Sequence, residues 1–115
     1  MSVSAGYKAF VLEQLQVVGT VTARSMFGGV GLYREGLFFG LLDDDMIYLK
    51  VDDENRPDYE VAGTEPFRPP GDQTSRNYYQ LPAEVLEDRD MLRLWVEKAV
   101  AAAGRKSGRR KRPGS

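Results

Sequence analysis

Residues 29–51 read GVGLYREGLFFGLLDDDMIYLKV, and the fold is decided there. Aliphatic and aromatic residues fill three short runs, Gly29 to Arg34, Leu37 to Leu42 and Met46 to Val51, as they fill strands that pack on a core. Glu35-Gly36 supplies the glycine that a tight hairpin turn needs, and Asp43-Asp44-Asp45 is a polar break of hairpin-loop length. The spacing predicts a three-stranded meander. In its third strand Ile47, Leu49 and Val51 alternate with Met46, Tyr48 and Lys50, so the first set should meet the core.

Upstream, Tyr7, Phe10, Val11, Leu15 and Val18 recur on one helical face, which predicts a helix from Ala5 to Val18. Ser4 is its expected N-cap and Gly19 its left-handed end. Val21 to Phe27 is extended, with no assigned role. Downstream, Asp53 to Ala62 reads as a short helix with Pro57 in its first turn and Gly63 at its end. Glu65 to Arg68 and Ser75 to Leu81 read as strands separated by Pro69-Pro70-Gly71-Asp72. After a turn over Ala83 to Leu86, Asp88 caps a long helix whose stripe is Leu92, Trp95, Val96, Ala99, Val100 and Ala103. The expected architecture is α+β, a two-layer α/β sandwich in the order α-β(3)-α-β(2)-α with a five-stranded antiparallel sheet. Residues 1–103 form the domain, and residues 104–115 are expected to be a disordered basic tail.

Composition bounds the chemistry. A chain of 115 residues, 42% hydrophobic and 29% charged, is expected to form one globular domain. No run is long enough to span a bilayer and the N-terminus carries no leader pattern, so a cytoplasmic location without membrane contact is expected. With neither cysteine nor histidine, the chain lacks the usual imidazole bases, thiolates and zinc ligands, and hydrolase chemistry of those kinds is excluded. Charge is unevenly placed: Arg105, Lys106, Arg109, Arg110, Lys111 and Arg112 follow Gly104 with no acid among them. Removing those six from sixteen basic residues leaves ten against seventeen acids, a body of net −7. The tail can attract nucleic-acid phosphates weakly and without regard to sequence, or serve only as a solubilising terminus.

Three further patterns invite functional readings. Gly28-Gly29-Val30-Gly31 lacks the lysine and the following helix of a phosphate loop, so these glycines are read as serving tight turns or close packing. Gly40 is read as a bulge or a crossing point for a large ring such as Trp95. Asp43-Asp44-Asp45 and Asp52-Asp53-Glu54 do not match a calcium loop, and no metal or cofactor is assigned. Tyr33, Tyr48, Tyr78, Tyr79 and Phe38 could present a base-stacking platform, but the acidic body favours the core or a protein contact.

The segments Arg24-Ser25-Met26-Phe27-Gly28-Gly29-Val30-Gly31-Leu32-Tyr33, then Phe39, then Tyr48-Leu49-Lys50-Val51-Asp52, and Tyr78-Tyr79-Gln80-Leu81-Pro82 resemble the N-terminal domain of the TfoX/Sxy family. The resemblance covers about residues 5 to 103 and implies the same order of elements. It also implies a regulator of natural competence acting with a transcription protein, whose full-length members add a helical C-terminal domain where this chain has its basic tail. It assigns no role to Arg24, Met26, Phe27, Gly28, Gly29, Gly31, Tyr33, Tyr48 or Lys50. The expected function is thus a non-enzymatic regulatory interaction module. The alternative is a small ligand-binding domain or enzyme using Lys50, Arg24 and nearby acids, which a deep pocket pairing Lys50 with a carboxylate would favour.

Overall fold

In a computed structural model, which describes residues 3–26, 28–68 and 75–111, both expected hairpin turns form. Glu35 and Gly36 have φ of 52° and 82°, and Asp44 and Asp45 have φ of 53° and 56°. Positive φ at both central residues is the turn geometry that matches strand twist, and aspartate tolerates it better than branched residues do. The turns join β2 (Gly29–Arg34), β3 (Leu37–Asp43) and β4 (Met46–Lys50) into the expected antiparallel meander.

The sheet has six strands, where five were expected. Thr22–Met26 is β1, paired along its length with β2 from Thr22 opposite Tyr33 to Met26 opposite Gly29. An edge strand with both faces partly exposed shows no apolar alternation, so its sequence reads only as extended. The remaining strands are β5 (Pro66–Phe67) and β6 (Ser75–Gln80), and the order across the sheet is β1-β2-β3-β4-β6-β5. The Pro69-Pro70-Gly71-Asp72 break lies outside the described residues.

Helix α1 (Ala5–Gln14) tightens into a 3-10 turn over Leu15–Val18. Ser4 Oγ accepts the Tyr7 N–H at 3.2 Å as the expected cap, while Gly19 ends the segment with a positive φ outside the left-handed helical region. Of the predicted stripe, Val11, Leu15 and Val18 are buried, Tyr7 is partly buried and Phe10 is exposed. Helix α2 (Arg56–Ala62) starts later than expected, because Asn55 uses its side chain to close the preceding loop: it accepts the Asp52 N–H and donates to the Lys50 carbonyl. Gly63 ends α2 in the left-handed conformation. After α3 (Ala83–Leu86), Asp88 Oδ1 accepts the N–H groups of Asp90 and Met91 and so caps α4 (Arg89–Lys111).

The long helix corrects the expected tail. It passes through Gly104 and runs to Lys111, with Arg112 outside the described residues. A single helical glycine costs only about 1 kcal/mol, arginine and lysine are good helix formers, and the next turn is tied to the body through Arg105.

One core joins the layers. Val30, Leu32, Leu42, Ile47, Leu49, Tyr79 and Leu81 on one sheet face meet Val11 and Leu15 of the first helical segment, Tyr59 of α2, and Leu92, Val96 and Ala99 of α4. Trp95 is partly buried and contacts Tyr59 edge-on at 4.7 Å rather than crossing the sheet at Gly40. A β-carbon on Gly40 would instead meet the neighbouring strand, 2.7 Å from the Tyr48 carbonyl oxygen.

Candidate functional site

The face of the sheet opposite the core carries the chemistry. Register places Arg24, Gly31, Leu41, Tyr48 and Gln80 in one row across the strands, between two buried rows of the inner face. Beside it, Lys50 lies opposite Tyr78. The rings form a ladder: Tyr33 to Phe38 at 5.1 Å, Phe38 to Tyr78 at 5.7 Å, and farther along the sheet Tyr48 edge-on to Phe67 at 4.9 Å. A cation sits over each end of the first three rings, the Arg24 guanidinium 5.9 Å from the Tyr33 centroid and the Lys50 ammonium 5.0 Å from that of Tyr78.

Gly31 makes the ladder's packing possible. A β-carbon there would lie 2.9 Å from Met26 Sδ, 3.1 Å from the Phe38 ring and 3.2 Å from the Tyr33 ring. Gly28 turns the chain between β1 and β2 at φ 82°, and Gly29 lets that turn press against β3, since its β-carbon would fall 2.5 Å from the Leu42 carbonyl oxygen. Both have structural jobs in the turn, in keeping with the packing reading. The structure therefore brings Arg24, Met26, Gly31, Tyr33, Tyr48 and Lys50 onto one face, while Phe27 lies outside the described residues. Tyr79 departs from the supposed stacking platform: it is buried on the inner face against Tyr59, 5.7 Å away.

At one end of the sheet, a cleft of about 450 Å³ opens between the loop after β4 and the last turns of α4. Lys50, Asp52, Arg56, Asn77, Arg105 and Lys106 are among its walls. A smaller cavity of about 250 Å³ adjoins it between the Gly36–Leu37 turn and α4, sharing Lys50 and Lys106 and adding Phe38 and Tyr78. Arg105 donates from Nε and Nη2 to the two Asp52 carboxylate oxygens at 2.7 and 2.9 Å. Arg56 pairs with Asp53 at 2.6 Å. The carboxylates at Asp52 and Asp53 are thus engaged by arginines, and Arg105 is an anchor of the body rather than part of a free tail. No sequence signal links Asp52 to Arg105, because a contact across 53 positions has no periodicity to betray it.

The Arg105 bond, opposed by burial and aided by the N–H groups of Glu54 and Asn55, holds the Asp52 carboxyl below the ordinary carboxylate value of about 4. A depressed carboxylate pKa stabilises the fold fully above the unfolded value, and that contribution is lost as pH falls through the folded value. Arg105→Ala is expected to lower stability by about 1 kcal/mol at neutral pH. The deficit should shrink only as pH falls below about 4, where Asp52 protonates. Urea unfolding of both proteins from neutral pH into the acid range checks this, and a pH-independent difference would contradict it.

The model of the TfoX N-terminal domain family matches residues 13–103. The chain belongs to that family. This TfoX N-terminal domain also resembles the DNA transformation protein TfoX1 of Aliivibrio fischeri (strain ATCC 700601 / ES114), at 39% identity over 51 residues. That stretch is 44% of this chain and 24% of the relative, so the likeness spans well under two thirds of that protein. The TfoX N-terminal domain is α+β as its motif residues implied, with β1 as an additional edge strand. Among its described residues, no helix is long and apolar enough to cross a membrane.

Proposed function

We propose that this TfoX N-terminal domain is a cytoplasmic regulatory module that works by protein contact, as a co-regulator of transcription in the competence response, and that the ring face is the surface it presents. The convergence of Arg24, Met26, Gly31, Tyr33, Tyr48 and Lys50 on that face carries the reading. Aromatic rings, methionine and arginine are the residue types enriched at protein interfaces, and partly exposed rings held by their neighbours lose little freedom when a partner covers them. The partner is a transcription regulator protein. The naming of the Aliivibrio relative as a DNA transformation protein supports the competence setting. The basic run of Lys106, Arg109, Arg110, Lys111 and Arg112 adds weak, sequence-indifferent attraction to nucleic acid, while Arg105 is committed to Asp52.

The test is a reporter for DNA-uptake genes in cells carrying the parent or either of two charge reversals. Arg24→Glu replaces the exposed cation over Tyr33, and Arg93→Glu changes an exposed position on α4. Arg24→Glu is expected to reduce reporter output about tenfold or more while melting stays within a few degrees of the parent, as loss of a charged interface contact does. Arg93→Glu should leave the output intact. A reporter indifferent to the parent protein, or to Arg24→Glu, would remove the proposal.

A further inference from the structure

Lys50 is only 5% exposed, yet its ammonium has no hydrogen bond or ion pair among the described residues. Its ammonium rests on the Tyr78 ring, whose attraction for a cation offsets only part of the cost of taking that charge out of water. Asp52, two residues beyond Lys50, is already held by the Nε and Nη2 donors of Arg105. Of the other cations on these walls, Arg56 is paired with Asp53 and Arg105 with Asp52 and Glu54, whereas Lys106, an exposed lysine one helical position beyond Arg105, has no carboxylate partner among the described residues. Both lysines line both adjoining cavities, so two unneutralised ammonium groups look into one concave space.

We propose that this space is a binding site for a small phosphorylated molecule, with Lys50 at its base and Lys106 at its rim. A phosphomonoester carries close to two negative charges at neutral pH, about −2, and so matches the two lysines, each of which supplies charge-assisted hydrogen bonds to its oxygens. Phe38 and Tyr78 give an apolar wall for the organic part. Burial pushes the Tyr78 phenol up to about 12, so its hydroxyl stays protonated and can donate to an anion. A small ligand suits the site, because Lys50 is buried where two adjoining cavities of about 450 and 250 Å³ meet, the size range of small-molecule pockets. Burial first and then Lys106 lower the Lys50 pKa against the opposing pull of Asp52, a cost to the charged form that a bound anion would offset. The site shares Lys50, Phe38 and Tyr78 with the ring face, but the reporter experiment varies Arg24 and does not bear on it.

The experiment titrates the whole chain with inorganic phosphate and, separately, ribose 5-phosphate, at ionic strength held constant with chloride, following backbone amide signals by NMR. Saturable shifts are expected at Leu37, Lys50, Asn77 and Lys106, with ribose 5-phosphate binding at least as tightly as phosphate. Lys50→Met keeps the length and removes the charge, and should weaken both about tenfold or more, as loss of a hydrogen bond to a charged group does. Lys106→Gln, at an exposed position, should weaken binding several-fold with melting unchanged, and so tests the site even if Lys50→Met disturbs the fold. Shifts that do not saturate, or affinities within about twofold of the parent in both variants, would overturn the proposal. So would a short DNA duplex that produces the same shifts more tightly than ribose 5-phosphate.

Discussion

Phe39→Ala is expected to lower the unfolding free energy by about 3–5 kcal/mol, the usual cost of emptying a phenylalanine site in a packed core. Strict alternation along β3 would put Phe39 on the outer face with Leu41, because Gly40 and Leu42 point inward. The register prevents that: Leu32 lies opposite Gly40 and Tyr33 opposite Phe38, so Phe39 is the extra residue of a bulge and its ring is fully buried. Since whole domains are stable by only about 5–15 kcal/mol, the variant should lose a large share of its stability. Phe38→Ala removes a neighbouring ring that is only partly buried in the outer ladder, and should cost clearly less. Urea unfolding of the two variants decides the matter, and a larger loss at Phe38 would show that the bulge is misplaced.

The second large effect is expected at Gly40. Alanine in place of glycine ordinarily stabilises by about 0.4–1 kcal/mol, because the unfolded chain has less freedom to lose. Here its β-carbon would sit 2.7 Å from the Tyr48 carbonyl oxygen and 2.9 Å from Leu49 Cδ2. A carbonyl that belongs to the paired strand cannot move without its ladder, so Gly40→Ala should destabilise by about 1–3 kcal/mol or more. Gly6→Ala in α1 is the control, since nothing lies within 4 Å of its β-carbon, and it should raise stability by about 0.5–1 kcal/mol. Thermal melts read both. Equal responses at the two glycines would mean that β3 and β4 do not approach as described.

These positions show how far one-dimensional reasoning reaches. The hairpin at Glu35-Gly36, the inward set Ile47, Leu49 and Val51, the Ser4 and Asp88 caps, and the α4 stripe were legible because each depends on neighbours within a turn or two of chain, where periodicity and local hydrogen bonding leave a mark. The motif residues were legible as a set, though not as a surface. Their common face appeared only when β1 paired with β2 and β6 came beside β4, since registry between strands distant in sequence is a property of the assembled sheet.

What sequence alone determined, then, was the class of fold, the element order apart from one edge strand, and the absence of imidazole and thiol chemistry. The tertiary structure decided the rest: that Phe39 turns inward at a bulge, that the last helix continues through Gly104 because Asp52 holds Arg105, and that Lys50 is buried beside a ring without a carboxylate of its own. Each of these depends on which distant groups are brought within a few ångströms of one another. Packing and Coulomb forces act on distance in space, and residue spacing along the chain does not record it.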